Sequence, residues 1–145
     1  MIRFIQVDDA LPLRSAVLQK GKALELCVNP EDLRPDSFHL GLYDDENQLQ
    51  CVLTVHRTNN PKLPHEGYRL RGMATAPEAR RKGYAKELLG AAIDHIKSQL
   101  HGDYLWCIAR ETAYPFYLDM GFEFISDEFE YKDAGKHKEM YIPFY

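Results

Sequence analysis

Apolar positions recur along this chain at two periods, and the switches between them lay out the elements. Ile2–Val7 alternates in the manner of a half-buried strand. Asp8 or Asp9 can then cap a helix starting near Leu11 and Pro12, which turns Leu13, Val17 and Leu18 inward. Cys27–Ser37 contains Pro30 and Pro35 and reads as a loop with room for a short helix. Phe38, Leu40 and Leu42 alternate with His39, Gly41 and Tyr43. Beyond the polar turn Asp44–Asn47, Leu49, Cys51, Leu53 and Val55 share one face of a second strand, so the two form an antiparallel hairpin. The polar loop Asn59–Gly67, with Pro61 and Pro64, leads to a central strand, Tyr68–Thr75. There the period changes to 3.6, with Ala85, Leu88, Leu89, Ala92, Ile93, Ile96 and Leu100 on one helix face. A strand over 104–109, a helix over 112–120 ended by Gly121, and strands over 122–125 and 138–144 complete the order. This order predicts an α/β fold, a sheet of mixed direction with helices on both faces.

Candidate chemistry concentrates where the central strand meets the long helix, in L-R-G-M-A-T-A-P-E-A-R-R-K-G-Y-A over residues 70–85. The first N–H groups of a helix have no intrahelical acceptor, and the dipole adds roughly half a positive charge there. Gly83 has no Cβ to keep an anion from the backbone. The stretch therefore predicts a grip on pyrophosphate. It lacks the G-x-x-x-x-G-K-[ST] of triphosphate loops and the G-x-G-x-x-G of dinucleotide folds.

Arg80–Ala85, R-R-K-G-Y-A, resembles the [QR]-x-x-G-x-[GA] signature of the GNAT family of N-acetyltransferases. A second segment, W-C-I-A-R-E-T-A-Y-P-F-Y-L-D-M-G-F over residues 106–122, is similar to the family's A-x-x-F-Y-x-x-x-G-F on Ala113, Phe116, Tyr117, Gly121 and Phe122. Each motif lies in its expected strand–helix context. The resemblance implies a mostly antiparallel sheet whose two central strands splay apart. Acetyl-CoA would enter the gap, and its acetyl group would pass by direct attack to an amine of a small molecule or peptide.

On the same footing, backbone N–H groups of Met73, Ala74 and Thr75 would hold the pantetheine arm and the thioester carbonyl. The N–H groups of Arg81, Lys82, Gly83, Tyr84 and Ala85 would cradle the pyrophosphate, with charge added by Arg80, Arg81 and Lys82. Tyr117 would protonate the departing coenzyme A sulfur, and its plainer alternative is a core aromatic. Many family members carry Asn three residues before the motif alanine; Arg110 stands there and receives no role. No general base stands out. His56, His65, Glu66 and Glu111 read as ordinary residues, and His137 falls in a loop where some family members contact substrate. The histidines lack metal-binding spacing, so no metal is expected.

With 145 residues, 45% of them hydrophobic, the chain suits one domain that buries about two-thirds of its unfolded surface. No apolar run nears the roughly 20 residues that cross a bilayer, and the first residues lack a secretory signal's apolar core. Cys27, Cys51 and Cys107 show no metal-like spacing, and free thiols point to a reducing, cytoplasmic compartment. Net charge is −4, yet Arg69, Arg71, Arg80, Arg81, Lys82 and Lys86 share their stretch with one acid, Glu78. Such a local basic patch fits a small anionic ligand better than nucleic acid, and neither nucleic acid nor membrane is expected as a partner. The acidic segment Glu123–Asp133 reads as a solvated turn or as a lure for an amine. A non-catalytic acyl-CoA sensor on the same fold remains the alternative to an enzyme, and a homodimer is left open.

Overall fold

The computed structural model describes residues 1–145. Its strands are β1 (Ile2–Ile5), β2 (Phe38–Tyr43), β3 (Leu49–Arg57), β4 (Gly67–Thr75), β5 (Tyr104–Arg110), β6 (Glu123–Phe124), β7 (Phe129–Glu130) and β8 (Lys136–Pro143). They form one sheet in the order β1-β2-β3-β4-β5-β8-β6, and β7 also pairs with β8. Only β4 and β5 run parallel; every other pair is antiparallel. Helices α1 (Val7–Leu13), α2 (Tyr84–His95) and α3 (Tyr114–Asp119) cover both faces. Under α2, Leu88, Leu89, Ala92 and Ile96 pack on Leu40, Leu53, Val55 and Leu70 to form the main core. On the opposite face Ala10 of α1 packs on Val52 and Ala74.

Helix α1 departs from the sequence pattern. Strand β1 stops at Ile5 and the helix begins at Val7, with Gln6 as the N-cap. Asp9 does not cap from outside; it sits in the first turn and accepts the Gln6 N–H at 3.1 Å. An acid just ahead of apolar residues gives the same sequence signal in either position, because the dipole favours carboxylates throughout the first turn. Pro12 consequently lies inside the helix. The buried face carries Ala10, Leu11, Arg14 and Ser15, while Leu13, Val17 and Leu18 are half-buried.

The chain beyond Leu13 forms a π-helical turn, Arg14–Leu18, and α2 ends in another, Ile96–Leu100, rather than continuing as α-helix. The expected helix over 112–120 divides into a 3₁₀ turn at Glu111–Ala113 and α3. Pro115 falls in the first turn of α3, where its missing N–H costs nothing. Gly121, at φ +98°, ends α3 as predicted. The segment before β2 holds two 3₁₀ turns, Leu24–Cys27 and Pro30–Leu33, instead of one short helix.

Those turns are tied to the sheet by a buried ion pair that sequence patterning did not reveal. Arg14, 2% exposed, donates from Nη1 to Asp32 Oδ2 at 2.7 Å and to the Cys27 carbonyl at 3.0 Å. Its Nη2 donates to Asp32 Oδ1 at 2.9 Å and to Thr54 Oγ1 at 2.6 Å. Thr54 lies 2.7 Å from His39 Nδ1, and His39 Nε2 reaches the Asp32 carbonyl at 3.3 Å, so His39 carries its proton on Nε2. Burial pulls the Asp32 carboxyl upward, but the Arg14 guanidinium and the Asn29 N–H outweigh it and hold the pKa below the ordinary value. Removing one partner of such a pair typically costs about 3–5 kcal/mol.

Candidate active site

Strands β4 and β5 pair only at Gly67–Arg69 and Tyr104–Trp106. Beyond that point β4 continues to Thr75 and β5 to Arg110 without touching ladders, so the sheet opens between them. A bulge in β4 accompanies the opening. Val52 faces Ala74 and Thr54 faces Arg71, so three steps along β4 match two along β3. Gly72 supplies the extra residue at φ +60°, and a Cβ there would meet Arg14 Nε at 2.8 Å. A lone glycine inside a strand pattern is the sequence signal for such a bulge. The opening forms a cleft of about 480 Å³.

Ala76 N–H donates to the Gln50 carbonyl at 2.8 Å. N–H directions alternate along a strand, so those of Met73 and Thr75 aim away from β3 and into the cleft, whereas that of Ala74 aims at β3. Ala74 still lines the cleft, but its N–H is committed elsewhere, which corrects its expected part as a donor. Past Pro77 the chain turns sharply, with Arg81 at φ +65° and Gly83 at φ +79°. None of the N–H groups from Arg81 to Lys86 finds a backbone acceptor; the first bond of this kind is Glu87 N–H to the Gly83 carbonyl. Nothing would lie within 4 Å of a Cβ on Gly83, so the concavity faces open space. Arg80 and Ala85 line the cleft, while Arg81, Lys82, Gly83 and Tyr84 form the turn at its rim. Arg81 and Lys82 are exposed.

Tyr117 of α3 lines the cleft and is 8% exposed, packed between the rings of Phe116 and Phe122. Burial, reinforced by the neighbouring Cys107 thiol, raises its pKa well above the usual phenol value. Burial likewise pushes Cys107 up to about 12. The site thus holds a protonated phenol beside an unreactive thiol. Phe116 also borders the cleft, in addition to its core packing.

The remaining lining includes Arg71, Gly72, Arg110 and Thr112, none of which received a role from the sequence. No Asp, Glu or His belongs to the lining. His65, Glu66 and Glu111 are exposed outside it, with Glu66 paired to Arg57. His56 is buried in β3; Nδ1 meets Thr58 Oγ1 at 2.6 Å, and Nε2 has no partner, so the ring is only half satisfied.

A cleft between splayed parallel strands, beside a turn of unpaired N–H groups, is what the two motifs implied. Residues 24–140 match the acetyltransferase (GNAT) domain family. The chain belongs to the GNAT acetyltransferase family. As a GNAT enzyme it is an acyltransferase that uses acetyl-CoA and an amine acceptor. The N-acetyltransferase YitI of Bacillus subtilis strain 168, itself uncharacterised, is 28% identical over 145 residues, covering 97% of this chain and 93% of its own. An aminoglycoside 6'-N-acetyltransferase solved with coenzyme A superimposes with a TM-score of 0.77 at 12% identity, covering 99% of this GNAT chain and 96% of its own. The F149A variant of the spermidine N-acetyltransferase SpeG from Vibrio cholerae gives 0.72 at 16% identity, covering 99% and 94%. No helix of this GNAT protein is long and apolar enough to cross a membrane.

Proposed function

We propose that acetyl-CoA lies in the β4–β5 cleft, with its pyrophosphate on the Arg81–Ala85 turn and its thioester beside Met73, Thr75 and Tyr117. The run of unpaired N–H groups from Arg81 to Lys86 at the rim of the cleft carries this reading. Unpaired donors at a helix start offer an anion hydrogen bonds without first breaking others, and exposed Arg81 and Lys82 add charge. Opposite the turn, the free N–H groups of Met73 and Thr75 suit the pantetheine amides and the oxygen of the attacked carbonyl.

Tyr117 then serves the leaving sulfur. Its raised pKa keeps the proton on the phenol at neutral pH, so it donates a hydrogen bond as thiolate charge develops and passes the proton to the departing sulfur, recovering one from that released by the acetylated nitrogen. The amine must arrive neutral or lose its proton to water, since the cleft has no carboxylate or imidazole to take it. Cys107 stays a thiol throughout and cannot act as a covalent acyl carrier, which favours direct attack.

Gly83→Glu puts a side chain and a negative charge into the open concavity. Calorimetry should show acetyl-CoA binding to the parent protein at one site per chain and no binding to the variant, with identical circular dichroism. Unchanged affinity in Gly83→Glu removes the turn from the cofactor site. Coenzyme A release with an amine panel separates the enzyme from a binding-only sensor.

A further inference from the structure

The cleft continues into a second basin of about 580 Å³, bounded by the segment Val17–Lys22 after α1 and by the β7–β8 hairpin, Lys132–His137. The two cavities share Val17, Leu18 and Arg110, and no residue of the Arg80–Ala85 turn lines the second. Its fixed charges are Lys20, Lys22, Arg110 and Lys132 against one carboxylate, Asp133. None of these cations takes part in an ion pair within the chain. Lys20 at φ +54° and Lys132 at φ +51° both sit in tight left-handed turns, which fix where their side chains start. Arg110 lines both cavities, so one of the basin's charges also borders the cleft that holds Tyr117.

Unneutralised cations gathered at the side door of a cleft, in a chain of net charge −4, form a local funnel for negative charge. We infer that this basin receives the acceptor, and that the acceptor is an amine bearing at least one carboxylate. The inference rests on the reading that acetyl-CoA occupies the first cleft. Lysine and arginine heads give charge-assisted hydrogen bonds to a carboxylate, and they repel a polyamine or aminoglycoside, whose charged groups all have the wrong sign. The same field performs a second task. A like charge nearby favours the neutral form of an ammonium, which supplies the nucleophile where the lining offers no base. His137 belongs to the same wall, its ring held by the Nδ1–H bond to the Gly135 carbonyl at 2.8 Å.

The test uses the full chain, acetyl-CoA and matched acceptors: free amino acids and acidic dipeptides, their carboxamides, and spermidine. A carboxylate-bearing amine should exceed its carboxamide at least tenfold in kcat/KM, and spermidine should be inert. Lys20→Glu with Lys132→Glu should raise the KM of the best carboxylate acceptor tenfold or more, while the KM of acetyl-CoA and the melting temperature stay unchanged. Lys20→Gln with Lys132→Gln should fall between. Equal use of acid and amide, a preference for spermidine, or no turnover of any carboxylate-bearing amine by a protein that binds acetyl-CoA overturns the inference and leaves the cofactor reading intact. A raised KM for acetyl-CoA in the charge-reversed variant also overturns it, because the basin would then hold coenzyme A itself. If the unmodified protein fails to bind acetyl-CoA, both fall.

Discussion

Gly72→Ala and Gly83→Ala make a controlled pair, because both glycines have left-handed backbones, at φ +60° and +79°. A left-handed conformation costs a residue with a Cβ about 1–2 kcal/mol, so both variants lose that much. They differ in space. A Cβ on Gly83 meets nothing within 4 Å, whereas one on Gly72 lies 2.8 Å from Arg14 Nε and 3.1 Å from Cζ and Nη2. A free arginine would swing aside. This one is fastened to Cys27, both oxygens of Asp32, and Thr54, so relief requires breaking buried charged bonds. Overpacking of that kind costs about 1–3 kcal/mol more. Urea unfolding should therefore place Gly72→Ala about 2–5 kcal/mol below the parent and Gly83→Ala only about 1–2 below. At about 2–4 °C per kcal/mol, thermal melts should separate the two variants by several degrees. Equal losses in the pair would show that the guanidinium yields and that the bulge is not braced by it.

Alanine at both Arg81 and Lys82 should weaken acetyl-CoA roughly tenfold and flatten the salt dependence of binding, since exposed charges contribute on the order of 1 kcal/mol or less each; an unchanged salt slope would make them spectators. Tyr117→Phe should lower kcat about a hundredfold to ten-thousandfold with acetyl-CoA affinity retained. Steady-state kinetics within twofold of the parent would reduce Tyr117 to packing. His56 is kept neutral by burial first, then by Arg69 and Arg71, with its pKa lowered to about 4. The unfolded chain binds this proton below about pH 6.5 and the folded chain does not, so stability present above 6.5 falls, by up to about 3 kcal/mol, as pH drops to 4. Denaturation at pH 7 and 4.5 should show a shallower loss in His56→Gln, and an identical loss would clear His56 of the effect.

What the chain revealed of itself was local. The turn of unpaired N–H groups was readable because they are consecutive backbone groups announced by Arg80–Ala85, and the place of Tyr117 beside the cleft because Gly121 and Phe122 frame its helix. The start of α1 was misplaced because Asp8 and Asp9 signal a cap and a first turn equally well. Arg14 gave no signal in the sequence, since its carboxylate partner lies on a separate turn and its hydroxyl partner on β3. The bulge at Gly72 was not read either, and the guanidinium that a Cβ there would meet is distant in the chain. The basic basin was hidden for the same cause: Lys20 and Lys132 line one cavity although they are far apart in the chain, with β8 inserted beside β5.

The short β4–β5 ladder also has a consequence for how the molecule comes apart. The backbone ladder of the sheet joins β1–β4 to β5–β8 through only three residue pairs. Extra ties gather at that closed end: Asn60 N–H to the Tyr104 hydroxyl, Asn60 Nδ2 to Glu139, and Trp106 Nε1 to the Thr58 carbonyl. Local opening should therefore begin at the far end, around Met73–Thr75 and Ile108–Arg110, and run down toward Tyr104. In hydrogen exchange the paired Ala74 amide should report an opening free energy well below that of Leu53 or Leu105. A ligand lying across the gap completes the missing ladder, so acetyl-CoA should slow exchange on both halves at once and make them unfold as one unit.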